Sequence, residues 1–552
     1  MDTGKIHSSE ILSFLYERFD FQTENRFLVA LGFGALALIV IGNLITAFSI
    51  WVKLKFIWNR NHTISKKLLK KYINQPYVYF LDKHSSDLGR NIIQESNRVI
   101  TKVLIPMFTI VSKAPVILMI VVVLFLTEPV VSLTAVIIFG GSFALVFVKN
   151  KRKLSKSGLK RSEANKMRNK IVTDAFTCIK DVKVSGKENF FLDVFSKSSI
   201  KVANLQSYVA IVGQIPRYIV ETLAFCGVIV MVIYFLLTRG NSSEFIPMVS
   251  FFAFASYRLM PALQEVFKAI TDIRFEKPVL KKIYEDMNDT SFEEKCISDS
   301  SVESLEFKDS IGLNKVRFFY PNSTKPVLDG IDISIRKNTS VAFVGLTGAG
   351  KTTIVDILLG LLVPQEGNLS VDDVIIEGKK RTYWQRRIGY VPQHIYLSDD
   401  SVRGNIAFGV SQEDVDMDKV IRAAKSAEIH DFIENELENK YDEIVGERGV
   451  RLSGGQIQRI GIARALYNDP EVLVMDEATS ALDNNTEKNV LNALENAAKS
   501  KTLIIIAHRL TTVKECDTIH LMEQGNILAS GTYSELLEKS EKFRVMASSV
   551  EK

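Results

Sequence analysis

Cysteine is scarce and scattered in this chain. Its four cysteines, Cys178, Cys226, Cys296 and Cys516, make no CxxC or other metal-ligand spacing. That removes a cysteine-ligated metal centre from consideration and argues for a reducing compartment. No small-residue cleavage site follows the first apolar run, which is also too long and too late for a secretory signal. No internal repeat or low-complexity tract stands out. Charge is missing altogether from residues 27 to 52, between Arg26 and Lys53.

What is present divides the chain in two. At 552 residues it is too long for one ordinary core. The composition is 47% hydrophobic and the mean hydropathy is +0.10. The apolar residues cluster in the first half, which reads as membrane-embedded, and the remainder reads as a soluble domain. The net charge of +6 is concentrated in two stretches that alternate with apolar runs. Membrane topology explains that pattern better than nucleic-acid binding.

A bilayer core takes about 20 mostly apolar residues per helix. Five runs meet or approach that length: about 27–52, 104–127, 130–148, 212–238 and 245–264. Residues 53–103 carry eleven Lys/Arg against three Asp/Glu, and 149–201 carry fifteen against five. Both loops are therefore expected in the cytoplasm, with the soluble half. Residues 1–26, with three basic and five acidic residues, are expected outside. The loops lack Pro and Gly clusters and read as helical extensions of the spans. Residues 289–303 are polar and read as a linker.

The second half carries phosphate chemistry. "VAFVGLTGAGKTT" is an apolar strand pattern followed by Gly345-Leu346-Thr347-Gly348-Ala349-Gly350-Lys351-Thr352-Thr353 and then a helical pattern. Glycines at that spacing let backbone N–H groups turn around phosphates at a helix N-terminus. Lys351 is placed to reach the β- and γ-phosphates, and the Thr352 hydroxyl to ligate Mg²⁺. "EVLVMDEATSALD", 125 residues after Lys351, is a second apolar strand ending in Asp476, a Mg²⁺ ligand candidate, and Glu477, which can polarise an attacking water. In "RLSGGQIQRIGIARAL", Ser453 can cap a helix whose N-terminus, with Gly454 and Gly455, offers bare N–H groups to an anion.

Leu452-Ser453-Gly454-Gly455-Gln456 resembles the signature of the ATP-binding cassette (ABC) superfamily, and the similarity runs from about 304 to the end. The resemblance implies ATP and Mg²⁺ as ligands and a composite site closed by a second copy of the chain or a related half-transporter. It implies that Tyr320 in "VRFFYP" stacks on adenine and that Gln393 in "GYVPQ" senses Mg²⁺. It also implies that His508 in "IIIAHRL" contacts the γ-phosphate and that "SALD", ending at Asp483, crosses the dimer interface. Glu477, His508 and Gln393 are then the catalytic candidates. "VGERG" at 445–449 resembles the segment that meets coupling helices.

The order of the halves resembles an ABC exporter half-transporter. That implies an all-α multi-span membrane domain (27–288) plus an α/β P-loop NTPase domain (304–552), in a plasma (bacterial inner) membrane with the cassette cytoplasmic. "NQPYVYFLDKHSSDLGRNI" and "FTCIKDVKVSGKENFFLDVF" resemble the two coupling-helix regions. Lys113, Arg217 and Arg258 fall within spans, where charge is costly and faces a cavity or a partner. One reading pairs Arg217 with Glu221 and lets Lys113 snorkel. The other makes the three a cationic substrate cavity suited to an anionic headgroup such as a pyrophosphate.

"IPRYIVE", "SYRLMPA" and "PQHIYLSDDSVRGNIAFG" resemble bacterial flippases of lipid-linked oligosaccharides, although Asn43 stands where that family has an arginine. An exporter of drugs, peptides or general lipids is the alternative, and a non-transporting membrane ATPase regulator a third. An ABC ATPase acting on nucleic acid is excluded by the apolar runs. By the register of a six-span half, the first run corresponds to the second span. The expectation is a shortened reading frame or a five-span variant.

Overall fold

The computed structural model describes residues 10–19, 23–127, 129–238, 245–289, 306–321, 323–476, 501–507 and 510–548. The chain divides into two compact units: residues 1–75 with 83–290, and residues 76–82 with 291–552.

The first unit is helical throughout its described length. α1 (Glu10–Arg18) is short, and α2 (Glu24–Ile73) runs 50 residues. After α3 (Tyr77–Leu81), which groups with the second unit, come α4 (Ser85–Arg90), two π-helical turns at Asn91–Glu95 and Ile100–Leu104 flanking α5 (Ser96–Val99), and α6 (Ile105–Thr127). α7 (Pro129–Thr177), α8 (Ile179–Ser185), α9 (Glu188–Thr238) and α10 (Phe245–Asn288) complete the set. A 50-residue helix is about 75 Å long, against a hydrocarbon core of about 30 Å. The long helices therefore continue past their apolar segments, as unbroken basic sequence without glycine clusters dictates. Among the described residues, three helical stretches, 25–73, 85–127 and 188–227, contain a window long and apolar enough to cross a membrane. No residue of the α2 window is buried; the helix's buried anchors are Phe27, Ile57, Leu68 and Tyr72, outside the most apolar stretch.

Polar side chains, not only apolar ones, hold the extended helices together. Arg161 of α7 is fully buried and meets Glu276 of α10 at 2.6 Å, and Arg98 of α5 reaches the same carboxylate at 3.4 Å. Arg90 bridges to Glu95 and Asp87, each at 3.3 Å. The Tyr72 hydroxyl of α2 donates to Asp286 of α10 at 2.6 Å, and the Asn91 amide donates to the same oxygen. α7 and α10 touch so closely that a Cβ on Gly158 would lie 1.9 Å from the Phe275 carbonyl oxygen. π-turns shift the helix face within a single element, and here they flank the segment that carries Glu95, Ser96 and Arg98 into this cluster.

The second unit is built on two sheets. β1 (Ser310–Phe318), β2 (Leu328–Arg336), β4 (Glu366–Val371) and β5 (Val374–Ile375) form an antiparallel sheet in the order β2-β1-β4-β5. The other sheet has the order β10-β9-β3-β8-β7-β6 and is parallel except at β10. It comprises β3 (Ser340–Gly345), β6 (Ile388–Val391), β7 (Val472–Asp476), β8 (Thr502–Ile506), β9 (Thr518–Glu523) and β10 (Asn526–Gly531). "VLVMD" and "TLIII" are buried at every position, as parallel strands covered on both faces require. The helices are α11 (Lys351–Leu358), α12 (Lys379–Gln385), α13 (Val402–Ile406), α14 (Met417–Ser426), α15 (His430–Glu436) and α16 (Gly454–Leu466), followed by Tyr533–Lys539 and Glu541–Ser548. The short helix α3 belongs with this unit, and Val78 packs against its core.

Candidate nucleotide site

In doubly wound sheets, ligands collect beyond the carboxyl ends of the parallel strands. Three such ends converge here. β3 delivers the loop 346–350 into α11, β7 ends at Asp476 two strands away, and β6, beside β7, leads to Gln393. The register pairs Phe343 with Ile506 and Ile506 with Asp476, so the carboxylate lies level with Phe343, two residues before β3 ends at Gly345 and the loop begins.

The loop needs its glycines. Gly345 has φ +151°, and a Cβ there would sit 2.3 Å from the Met522 carbonyl oxygen. Gly350 has φ +101°, and its Cβ would sit 2.8 Å from Leu328 Cδ2. Left-handed backbone at Gly348 and Gly350 lets the loop turn tightly into the start of α11, with the Ala349 N–H donating to the Leu346 carbonyl at 3.1 Å. Lys351 is buried, and its ammonium donates to the Gly345 carbonyl at 2.7 Å and the Leu346 carbonyl at 3.2 Å, so it lies across the loop. Thr352 is solvent-exposed, whereas Thr353 is buried and pairs its hydroxyl with that of Tyr320 at 3.1 Å. The Tyr320 ring stands edge-on to Phe318 at 5.1 Å, which fixes it beside α11.

Buried Asp356 and Asp476 act on each other electrostatically, with Lys351 buried at the start of α11. Burial pushes the Asp356 carboxyl of α11 up to about 6, and the charge of Asp476 pushes it further in the same direction. Burial, then Asp476 and Asp356, raise the Tyr390 hydroxyl as well. On α3, burial raises the Tyr77 hydroxyl, with Asp356 and Tyr320 adding to the effect. Tyr390 lies in "GYVPQ" and Tyr77 in the first coupling-helix stretch, but phosphate-loop spacing assigns no electrostatic role to them or to Asp356.

The signature segment forms a separate anion-ready element. Ser453 and Gln456 close a capping box: the Gln456 N–H donates to the Ser453 hydroxyl at 3.3 Å, and the Ser453 N–H donates to the Gln456 side chain at 2.7 Å. Gly454 and Gly455 then begin α16 without side chains over its N-terminus. The preceding Gly449 packs on Leu397 and Ile457. Glu477, Ser480 to Asp483 and His508 lie outside the described residues.

Of the charged residues within spans, Lys113 pairs with Glu265 at 3.1 Å and Arg217 with Glu221 at 3.6 Å. Arg258 lies 6.0 Å from the Phe254 ring and has no ion pair among the described residues. Glu265 was not foreseen as a partner because it is 152 residues from Lys113 in the chain. Two of the three cations expected to line a cavity thus carry a carboxylate each.

A phosphate loop, a strand-end aspartate and a capped glycine-started helix, in a chain with long apolar helices, define a membrane-linked P-loop nucleotide-binding protein. The chain belongs to the ABC transporter family. Residues 5–260 match the ABC transporter transmembrane region and residues 328–480 match the ABC transporter family. The chain is 31% identical over 498 residues to an ATP-dependent lipid A-core flippase of Francisella tularensis, covering 86% of this chain and 77% of that protein. It is 44% identical over 222 residues to the ATP-dependent lipid A-core flippase of Chromohalobacter salexigens, covering 40% of this chain. It is also 32% identical over 384 residues to the heterocyst differentiation ATP-binding protein HepA of Nostoc, covering 68% of this chain. The matches span 38% and 61% of those two relatives. In fold the chain is similar to a bacterial Atm1-family ABC exporter with ATP bound, at a TM-score of 0.79 and 23% identity, covering 97% of this chain and 93% of that one.

Proposed function

We propose that this chain is one half of an ATP-driven exporter or flippase, working as a dimer with a second copy or a related half-transporter. Its substrate in this reading is an amphipathic, anionic lipid-linked molecule, an oligosaccharide carrier being the specific candidate. The observation that carries the reading is the pairing of two incomplete anion sites in one chain: the glycine-built loop 345–350 and the capped start of α16. Two chains arranged head to tail supply each ATP with the loop of one and Ser453, Gly454, Gly455 and Gln456 of the other.

Mg²⁺ fits the residues present. Thr352 is exposed at the start of α11, and Asp476, whose charge acts on Asp356, supplies the kind of hard oxygen ligand that Mg²⁺ takes. Thr352, Asp476 and Gln393 would hold the ion, which when bound neutralises charge on the β- and γ-phosphates. Lys351 binds the same phosphates, and Tyr320 stacks on the base. Glu477 takes the proton of the attacking water, and His508 holds the γ-phosphate. ATP binding closes two cassettes, and the short helices α3 and α8 pass that closure to the membrane helices. The packing of Val78 of α3 against the cassette core, and the action of Asp356 on Tyr77, support α3 in that role.

Arg258 supports an anionic substrate, since it is the in-span cation left without a carboxylate among the described residues. The relatives named as lipid A-core flippases support a large lipid as cargo. A Glu477→Gln variant is expected to bind ATP and lose turnover, read by nucleotide binding beside phosphate release. Hydrolysis surviving that change would refute the catalytic assignment.

A further inference from the structure

Immediately after the apolar stretch of α7, the chain reads "KNKRKLSKSGLK". Lys149, Arg152, Lys153, Lys156 and Lys160 are all exposed. At 100° per residue they fall within an arc of about 100° on one side of the helix. Leu145, Val148 and Leu159, at 69%, 59% and 53% exposure, lie on the same side. The four cations from 149 to 156 begin at the last apolar turn and extend about 10 Å along the axis, the reach of a Debye length at physiological salt.

Among the described residues of the unit, no carboxylate is free to neutralise this face. No Asp or Glu occurs in α7 before Glu163, or in α9 between Asp193 and Glu221. On α10, which packs along α7, Glu265 is taken by Lys113, Asp272 by Lys102, and Glu276 by Arg161 and Arg98. Among the described residues none of the five stripe cations makes an ion pair; Lys153 instead lies 4.4 Å from the ring centre of Tyr208 on α9. An aromatic ring and exposed apolar residues merging into unpaired cations is the pattern of a helix at the boundary between acyl chains and headgroups.

We infer that Lys149, Arg152, Lys153 and Lys156 form a binding surface for anionic phospholipid headgroups of the cytoplasmic leaflet, separate from the transported substrate. A solvated lysine face needs no apolar continuation; this one has it. A second copy of the chain is a poorer occupant, because the matching extension of α2 is itself basic at Lys53, Lys55, Arg60, Lys66, Lys67, Lys70 and Lys71.

The test is native mass spectrometry of the full-length protein released from nanodiscs of mixed phosphatidylglycerol and phosphatidylcholine, without ATP or substrate. Its outcome is thus independent of whether transport is demonstrated. The wild type is expected to retain phosphatidylglycerol in preference, and this preference to fall as ionic strength rises. The combined variant Lys149→Gln, Arg152→Gln, Lys153→Gln, Lys156→Gln is expected to lose the preference by about tenfold or more. Lys379→Gln with Lys380→Gln, on the cassette surface, should leave it unchanged. Equal retention of both lipids by the wild type, or a salt-independent preference, would overturn the inference even if the combined variant fails to fold. So would a variant that keeps its lipid but falls from dimer to monomer, which would assign the stripe to a protein contact.

Discussion

Arg161 and Glu276 form a closed ion pair between α7 and α10, with Nη2 2.6 Å from the carboxylate and side-chain exposures of 0% and 4%. The two residues are 115 positions apart, and nothing in their local sequence announces the pair. Its role follows from desolvation. Two charges removed from water are tolerated only together, so each is worth little alone and much as a partner.

Arg161→Met is therefore expected to destabilise the protein by about 3 kcal/mol, because it leaves the buried carboxylate to the longer contact with Arg98 at 3.4 Å. The double variant Arg161→Met, Glu276→Met should recover most of that loss. Thermal denaturation of detergent-solubilised protein measures both, and a double variant no more stable than the single one would contradict the pairing.

His520 predicts a pH dependence for the cassette. It lies on β9 opposite Phe343, stacked at 5.4 Å, with Nδ1 2.7 Å from the Ser530 hydroxyl. Burial lowers its pKa from 6.5 to about 4, so the folded state holds it neutral. A depressed value means the stabilisation is complete above pH 6.5 and is lost as pH falls toward 4. The displacement corresponds to roughly 3 kcal/mol. His520→Gln should flatten the fall in melting temperature across that window, and an unchanged slope would rule this origin out.

The phosphate loop predicts an order of effects. Gly345→Ala drives a Cβ into the Met522 backbone carbonyl, whereas Gly348→Ala, at φ +84°, meets nothing within 4 Å. The second substitution carries backbone strain of about 1–3 kcal/mol, and the first carries strain plus a clash that only backbone movement relieves. Melting temperatures without nucleotide should rank wild type above Gly348→Ala above Gly345→Ala.

What could be read from sequence was local. The loop 345–353, the strand end at Asp476 and the cap at Ser453 are each encoded within about a dozen residues, because phosphate binding needs neighbouring backbone groups. The long helices were legible from apolar runs and basic extensions. Contacts between distant segments were not: Lys113 with Glu265, Arg161 with Glu276, and the grouping of Pro76–Asp82 with the cassette unit. The π-turns at 91–95 and 100–104 also escaped, since their side-chain pattern differs from an α-helix by only one residue of offset.

The most direct measurement of the proposed function is ATP hydrolysis and lipid movement by the protein reconstituted in liposomes. Lipid pyrophosphate-linked glycans would be compared there with dyes and peptides, and wild type with Arg258→Ala. The proposed function predicts hydrolysis stimulated by the pyrophosphate-linked lipids, movement of those lipids only with ATP, and weaker stimulation in Arg258→Ala. Stimulation by dyes or peptides alone, with none from the pyrophosphate-linked lipids, would contradict it.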